Sequence, residues 1–326
     1  MSSDATTKVR FGSTDLRVSR LCQGTAFRNM PRDDQPKGVR VLRHCLDQGV
    51  NFFDSAIAYG WGGAESCLGT AIAGRRDQAV ICTKVPASHP PLEFGGSGEL
   101  TGFTKSHLTE QLEGSLRRLK TDYVDLYLLH QPDKKKTPAS EIATTMDALV
   151  NSGKIRYWGL SNHTGQQVQE YLDLAESMGI TPPSGTEDYY NIAGESRSQE
   201  NEPRMERLER ELFPVLRQAA MGLLAFGPMD GGWLAPVRED ESNLALTGLI
   251  KVIDAVAADL TTLRASVCVA WVLTHPEVTS VLAGSESEEH VEHNLAGTLL
   301  ELPEEALATL NEANAEYRRR QLELNA

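Results

Sequence analysis

The sequence lacks the features that mark membrane, secreted and nucleic-acid-binding proteins. No apolar run approaches the roughly 20 residues that a membrane span needs, and the N-terminal stretch MSSDATTKVR has no apolar core of the kind found in secretion signals. Its 32 lysine and arginine residues are outnumbered by 45 aspartate and glutamate residues, and the formal charge of −13 argues against nucleic acid or an anionic membrane as a partner. We therefore expect a soluble, cytoplasmic protein.

Cysteine is scarce, and its five positions include no CxxC pair. An odd number without paired spacing argues against a disulfide framework or a zinc ribbon. We expect buried thiols in a reducing compartment, and no metal site is predicted. The five positions are Cys22, Cys45, Cys67, Cys82 and Cys268.

Short apolar segments alternate with segments of helical periodicity along all 326 residues, without a break in composition. The pattern predicts one domain, residues 1–326, of the α/β class: a (β/α)8 TIM barrel with an N-terminal β-hairpin and a C-terminal helix. The predicted barrel strands are 20–23, 50–53, 79–84, 123–129, 155–160, 186–190, 222–226 and 278–282. The predicted helices are 39–48, 64–73, 105–119, 139–151, 166–178, 205–220 (restarting at Pro214), 246–260, 262–273, 288–295 and 303–320.

Three successive predicted strands end on or beside a residue that can do chemistry. The second strand leads into Asp54, the third ends on Lys84, and the fourth leads into His130, while Tyr59 lies in the loop after the second strand. Parallel strands place their C-terminal ends on one face of a barrel, where catalytic residues of such barrels lie. We therefore expect these four side chains to converge.

Convergence of these groups would make a general acid. A free phenol has a pKa of about 10, which is too high for efficient proton donation near neutrality. A neighbouring ammonium favours the phenolate, so we expect Lys84 to lower the pKa of Tyr59. Asp54 would hold Lys84 in place as an ion pair, and His130 would orient or relay the proton towards a carbonyl oxygen.

The stretches GVNFFDSAIAYG, CTKV and YVDLYLLHQPD, which carry these four residues, resemble the aldo-keto reductase family. The resemblance covers roughly residues 10–294, and it implies that Asp54, Tyr59, Lys84 and His130 are the catalytic tetrad. It also implies a nicotinamide cofactor, because no side chain can supply a hydride. The chain has no GxGxxG motif, so the nucleotide would lie in the loops after the barrel strands.

The resemblance implies cofactor contacts for the nicotinamide and pyrophosphate, with three departures from the family pattern. A glutamate stands where the family has a glutamine, a phenylalanine replaces the tyrosine that stacks on the nicotinamide, and a glycine replaces a serine in the following loop. These positions are Glu187, Phe226 and Gly227. The remaining implied contacts are Gly24, Thr25, Asp54, Ser161, Asn162, Pro228 and Met229.

The adenosine end departs furthest from the family. Glu286 stands where an arginine usually meets the 2′-phosphate, with Glu288 and Glu289 beside it. NADP(H) is the family default, but negative charge suits a ribose 2′-hydroxyl, so NAD(H) becomes a serious candidate. Alternatively, Glu286 points to solvent and another group, such as His290, meets the phosphate. The implied adenosine contacts are Gly284, Ser285, Glu286, His290, His293 and Asn294.

Three aromatic residues, Phe27, Trp61 and Trp233, are candidate walls of a substrate pocket, although a role in packing the barrel wall fits them almost equally well. The loops at 86–103, 191–203 and 228–243 would complete the pocket. The first of these loops is rich in proline and glycine, and a disordered surface loop is an open alternative there.

The leading interpretation is an NAD(P)(H)-dependent oxidoreductase acting on an aldehyde, ketone or sugar, with Tyr59 as general acid in reduction and general base in oxidation. The alternative is a cofactor-binding regulatory subunit that resembles the channel-associated homologues of the family. A barrel with unrelated chemistry, such as an isomerase of phosphorylated sugars, would make the four-residue match an accident. The sequence leaves the substrate, the physiological direction and the oligomeric state open.

Overall fold

A computed structural model describes residues 7–27, 35–194, 207–235 and 244–325 of the chain. Two of the predicted pocket loops, 191–203 and 228–243, therefore lie partly outside the described residues. The predicted start of the sixth helix, residues 205–206, also lies outside them.

Eight parallel strands form a closed barrel, and they follow one another around it in chain order. A two-stranded antiparallel hairpin, β1 (Lys8–Arg10) and β2 (Arg17–Ser19), precedes the barrel. The barrel strands are β3 (Leu21–Gly24), β4 (Phe52–Asp54), β5 (Val80–Val85), β6 (Val124–Leu129), β7 (Ile155–Ser161), β8 (Gly185–Tyr189), β9 (Gly222–Phe226) and β10 (Val278–Ala283). The predicted fold class is confirmed.

Helices surround the barrel and follow the predicted order. Those that the structure describes are α1 (Gln35–Asp47), α2 (Gly63–Ala71), α3 (Lys105–Leu119), α4 (Ala139–Asn151), α5 (Gly165–Met178), α6 (Phe213–Ala219), α7 (Leu244–Asp259), α8 (Arg264–Leu273), α9 (Glu288–Leu299) and α10 (Glu304–Asn325). The helical faces that carry leucine, isoleucine and valine bury them against the strands, and these side chains form the main hydrophobic core.

Several boundaries differ from the predictions by one or two residues, and three of them bear on the site. Asp54 is the last residue of β4, Lys84 is the penultimate residue of β5, and Ser161 is the last residue of β7. Their side chains are therefore held by strand backbone and not by the flexible part of a loop. Within the predicted helix 205–220, a π-helical turn at Leu208–Leu212 precedes the α-helix, which begins at Phe213.

Pro214 explains that interruption. It lies in the first turn of α6, where a missing backbone N–H costs little because that group has no intrahelical partner. The predicted restart of the helix at Pro214 agrees with this position.

The predicted N-terminal hairpin is present, and it closes the N-terminal end of the barrel. The ring of Phe11 is fully buried and packs edge-to-face on Phe52, with the ring centroids 5.7 Å apart. Gly185 and Gly222, the first residues of β8 and β9, leave room for that ring: a Cβ at Gly222 would lie 2.7 Å from it, and one at Gly185 would overlap it. The apolar ring of Phe11 thus fills the closed end of the barrel.

The C-terminal helix α10 packs against α7 on the outside of the barrel. Leu310 and Tyr317 are buried, and Asn314 donates a hydrogen bond from its side-chain amide to the carbonyl of Ile192. Arg318 forms two hydrogen bonds with the carboxylate of Glu209, at 3.1 and 2.8 Å. This helix is therefore part of the folded unit. None of the described helices is long and apolar enough to cross a membrane.

The substitution Gly185→Ala tests how the barrel is closed. The added methyl group overlaps the ring of Phe11, and overpacking of this kind costs about 1–3 kcal/mol. We expect a lower midpoint of urea unfolding than in the wild type. Gly248→Ala is the matched control, because Gly248 lies in α7 with nothing near an added Cβ, and it should stabilise the helix by about 0.5–1 kcal/mol. Equal effects of the two substitutions would contradict this account of the hairpin.

Candidate active site

A buried lysine organises the C-terminal end of the barrel. Lys84 is fully buried, and its Nζ atom donates hydrogen bonds to both carboxylate oxygens of Asp54, at 2.5 and 2.7 Å. The carbonyl of Ser55 accepts a third at 3.0 Å, and the hydroxyl of Tyr59 lies 3.2 Å away. The register of β4 and β5 creates this pair, because Asp54 lies opposite Cys82, one interior position below Lys84. The predicted ion pair of Asp54 and Lys84 is present.

A second acid lies against the same ammonium. Oε1 of Glu187, in β8, is 3.3 Å from Nζ of Lys84, and Glu187 is buried. Ligand atoms of Asp54, Glu187 and Cys82 all lie within 4.8 Å of one another. That spacing would also suit a metal ion, but the ammonium of Lys84 supplies the positive charge there. The interpretation of Glu187 as a cofactor contact therefore has to include its contact with the lysine.

Tyr59 points its hydroxyl at the lysine from the loop after β4. Its ring lies 4.8 Å from Nζ of Lys84 and 5.7 Å from the ring of His130, edge to face. Burial is the largest influence on the pKa of Tyr59 and raises it; the ammonium of Lys84 lowers it, and the carboxylate of Asp54 raises it. The expected net lowering by Lys84 is therefore wrong for this structure: the pKa lies above its usual value, and Tyr59 is a neutral phenol that carries a proton.

His130 follows β6 directly and completes the group. Burial and the charge of Lys84 lower the pKa of its imidazole to about 3. The ring is therefore neutral throughout the physiological range, and it can donate or accept a hydrogen bond but does not act as a cation. Its backbone is held on both sides, because its N–H donates to Val85 and its carbonyl accepts from the side chain of Asn162, each at 3.0 Å.

Ser161 and Asn162 lie beside this group, at the end of β7. The side-chain N–H of Asn162 donates to the hydroxyl oxygen of Ser161 at 2.9 Å as well as to His130. Asn162 has a φ of 62°, in the left-handed region that side chains other than glycine rarely adopt. Such strain is typical of functional loops. Ser161 pairs with Glu187 in the barrel register, so the predicted nicotinamide contacts adjoin the buried acids.

The replacement of serine by Gly227 has a structural cause. Gly227 has a φ of 77°, and an added Cβ would lie 2.5 Å from the ring of Tyr189. The Tyr189 ring packs edge-to-face on Phe226, with the centroids 5.4 Å apart, and its hydroxyl hydrogen-bonds to Asp230. Sequence reasoning missed Tyr189. The signal was the coincidence of a tyrosine at a strand end with a glycine in the adjacent loop.

The loops after β3 and β10 meet at the mouth of the barrel. Gly24 is buried next to Gly284, and Thr25 donates a hydrogen bond from its hydroxyl to Ser55 at 3.0 Å. The side-chain amide of Asn294 donates to the hydroxyl of Ser285 at 3.0 Å. The structure therefore brings these five predicted contacts, Gly24, Thr25, Gly284, Ser285 and Asn294, together along one edge of the barrel mouth.

Glu286 is half-buried between this edge and the start of α9. The hydroxyl of Ser287 caps α9 by accepting a hydrogen bond from the N–H of His290 at 3.1 Å. His290 is exposed, and His293 faces Glu289 at 3.8 Å, whereas Glu292 faces His44 at 3.5 Å. Glu292 and His293 therefore face different partners.

The three aromatic pocket candidates are half-buried and pack on the hydrophobic core. Trp61 has a φ of 47°, and its ring lies 6.3 Å from that of Phe94 in the loop 86–103. That loop is an ordered excursion, in which His89 donates to Glu99 at 2.8 Å and Thr101 to Ala87 at 2.9 Å. These contacts do not fit a disordered surface loop, and its role as a pocket wall stays a prediction.

A closed barrel with a buried Asp–Lys–Tyr group at its open end is the arrangement that the sequence resemblance implies. Comparison with known proteins decides which family the chain belongs to, since the Aldo/keto reductase family profile matches residues 20–315. The chain belongs to the aldo/keto reductase family. The match covers every barrel strand and the whole group around Lys84.

Several relatives are similar along most of their length. An uncharacterised oxidoreductase, YrpG of Bacillus subtilis, is 32% identical over 92% of this chain and 94% of its own. A probable voltage-gated potassium channel subunit beta of Oryza sativa is 30% identical over 87% of this chain and 88% of its own. The crystal structure of an aldo/keto reductase from Klebsiella pneumoniae in complex with NADP and acetate has a TM-score of 0.75 at 29% identity, covering 94% of this chain and 95% of that one.

The substitution Lys84→Met tests whether Lys84 neutralises the buried acids. It leaves Asp54 and Glu187 buried without a cation, which costs about 3–5 kcal/mol. Burial already raises the pKa of Asp54, and Lys84 opposes that rise. Without Lys84, Asp54 therefore keeps its proton in the folded protein, whereas in the unfolded chain it loses that proton above about pH 4. Stability then falls as pH rises, and the loss of thermal stability should be larger at about pH 8 than at about pH 5.

Lys154→Met is the matched control. Its ion pair with Glu113 lies at the surface, where the two side chains are 40% and 38% exposed. Surface pairs contribute about 0–1 kcal/mol. If Lys84→Met loses as little thermal stability as Lys154→Met, or if its loss does not depend on pH, the account of the buried pair is contradicted.

Proposed function

We propose that this protein is an NAD(P)(H)-dependent oxidoreductase that transfers a hydride between the nicotinamide and a carbonyl or alcohol carbon. The observation that carries the proposal is the hydroxyl of Tyr59 at 3.2 Å from the buried ammonium of Lys84. Aldehydes, ketones and sugars are the substrate classes. Membership of the family and the oxidoreductase among the relatives support the same conclusion.

In reduction, the neutral Tyr59 donates its proton to the carbonyl oxygen of the substrate. The phenolate that remains is stabilised by the adjacent ammonium of Lys84, which is itself held by Asp54. His130 is neutral and lies beside the Tyr59 ring, so it orients the substrate oxygen by a hydrogen bond. In oxidation the same phenolate takes the proton back from the alcohol.

The nicotinamide supplies or accepts the hydride when it is bound. The residues present fit its carboxamide, because Ser161 and Asn162 carry hydroxyl and amide groups at the barrel mouth next to His130. Phe226 is half-buried and offers an apolar ring face. Gly24, Thr25 and the loop Gly227–Met229 would line the pyrophosphate.

The adenosine end supports a shift from NADP(H) towards NAD(H). Glu286 is half-buried where the family pattern has an arginine, and the first turn of α9 carries Glu288 and Glu289. Negative charge near the ribose disfavours a 2′-phosphate and favours a 2′-hydroxyl. The Klebsiella enzyme was crystallised with NADP, so the two chains would differ in preference.

A regulatory subunit is the second candidate, because two relatives are named as probable voltage-gated potassium channel subunits beta, from Oryza sativa and Arabidopsis thaliana. Such a protein would bind cofactor and turn over slowly. A single oxidation of bound reduced cofactor without steady turnover would favour it over the enzyme.

The substitution Tyr59→Phe tests the proposed acid. It removes the transferred proton and keeps the ring, and loss of a general acid lowers the rate by about 10²–10⁴-fold. We expect that loss in kcat for reduction of 4-nitrobenzaldehyde, with little change in the affinity for reduced cofactor measured by quenching of tryptophan fluorescence. Full retention of kcat would exclude Tyr59 as the proton donor.

The substitution Glu286→Arg tests the adenosine site. A hydrogen bond to a charged group contributes about 1.5–3 kcal/mol, so we expect the ratio of Kd for NADPH to Kd for NADH to fall by about ten- to a hundredfold. Titration by tryptophan quenching measures both constants. Glu301→Arg, at an exposed position just beyond the C-terminal end of α9, makes the same change in charge and should leave the ratio unchanged. An unchanged ratio in Glu286→Arg, with NADPH strongly preferred by the wild type, would contradict the assignment of Glu286.

A further inference from the structure

Two carboxylic acids share one cation in the candidate active site. Asp54 receives both short hydrogen bonds of Lys84, whereas Glu187 lies further away, at 3.3 Å. Ionisation of both acids would leave a buried cluster of Asp54, Glu187 and Lys84 with a net negative charge. Burial of an unpaired charge is strongly unfavourable, so one of the acids has to keep its proton.

The hydrogen bonds show which acid that is. Asp54 satisfies both of its oxygens with the ammonium, which stabilises its ionised form. The Oε2 atom of Glu187 is buried and has no hydrogen-bond partner among the described residues. An ionised oxygen would need a donor there, whereas a protonated oxygen is itself a donor and can point at the neighbouring Asp54.

We propose that Glu187 is a neutral carboxylic acid that shares its proton with the carboxylate of Asp54 and acts as a positioning residue for Lys84. The proposal deepens the proposed function and rests on it for the catalytic consequence, but not for the protonation state. Burial and the nearby charge of Asp54 also raise the pKa of Glu187 well above its usual range.

A neutral Glu187 keeps the positive charge of Lys84 available to Tyr59. With one ionised acid, the cluster of Asp54, Lys84 and Glu187 has no net charge, whereas a second ionised acid would raise the pKa of Tyr59 further. The other titratable groups around Glu187 are the thiols of Cys82 and Cys22, and burial raises both of their pKa values, so they stay neutral.

Infrared spectroscopy tests the protonation state without any substrate. A difference spectrum of wild type minus Glu187→Gln at about pH 8 should contain the carbonyl stretch of a neutral carboxylic acid, because exposed acids are ionised there. Labelling the side-chain carboxyl of glutamate with ¹³C should move this band, and the same label in aspartate should leave it in place. Glu65→Gln is the control, since Glu65 is a buried glutamate with other partners, Thr83 and Arg118. The Glu65→Gln protein should retain the band, so the band should be missing from the difference spectrum of wild type minus Glu65→Gln.

Two infrared results would overturn the proposal. Absence of the band from the difference spectrum would mean that Glu187 is ionised. A band that moves with labelled aspartate and not with labelled glutamate would place the proton on Asp54. Neither result depends on turnover, so they are distinct from a failure of the proposed oxidoreductase activity, which would appear as a lack of hydride transfer in every variant.

The pH dependence of alcohol oxidation supplies a second readout, with 4-nitrobenzyl alcohol and NADP⁺ as probes. Alcohol oxidation requires ionised Tyr59, so its pH dependence reports the apparent pKa of Tyr59. If Glu187 is neutral, Glu187→Gln leaves this apparent pKa unchanged. A lower apparent pKa in Glu187→Gln would show that Glu187 is negatively charged in the wild type. Glu187→Ala removes the contact with Lys84, which is a loss of about 1.4 kcal/mol or tenfold in kcat, and Glu187→Gln should recover part of that loss.

Discussion

The ammonium of Lys84 is the charge on which the open end of the barrel depends. It is fully buried, and it is satisfied by Asp54, the carbonyl of Ser55, Glu187 and the hydroxyl of Tyr59. These groups come from β4, the loop after it, β5 and β8, so one cation fixes the relative positions of elements that are far apart in the sequence. A buried ion pair contributes little net stability compared with an apolar core, but removal of one partner is costly. The arrangement therefore specifies geometry more than it adds stability.

Much of the site could be predicted because apolar runs in the sequence mark where the strands end. Asp54, Lys84 and His130 each follow an apolar run, and parallel strands leave only one face on which their ends can meet. The fold followed from the same alternation of strands and helices. Boundaries were less certain, because hydrogen bonding to the neighbouring strand, which the sequence does not display, decides where a strand such as β7 ends.

The parts that could not be predicted depend on contacts between distant residues. The ring of Tyr189 beside Gly227 is a consequence of packing between two strands that are distant in sequence. Pro214 marks the interruption of the sixth helix in the sequence, but not the π-helical form of the turn at Leu208–Leu212. The direction of the Tyr59 pKa was also misjudged, because charge can be read from the sequence whereas the depth of burial cannot. Glu187 looked like an imperfect substitute for glutamine in the sequence, and its contact with Lys84 became visible only in three dimensions.

The ring of Phe11 has a consequence for how the chain reaches its fold. It belongs to the N-terminal hairpin, yet the space that it fills is bounded by Gly185 and Gly222, and the barrel closes only when β10 pairs with β3. Contacts between residues so distant in sequence form slowly, since a long loop has to be closed before they contribute. During synthesis on the ribosome, the hairpin emerges before β8, β9 and β10, and Phe11 therefore waits for nearly the last barrel strand before it can bury its aromatic ring. In that interval Phe11 and the edges of β3 are exposed to other chains, so this segment needs protection while the protein folds.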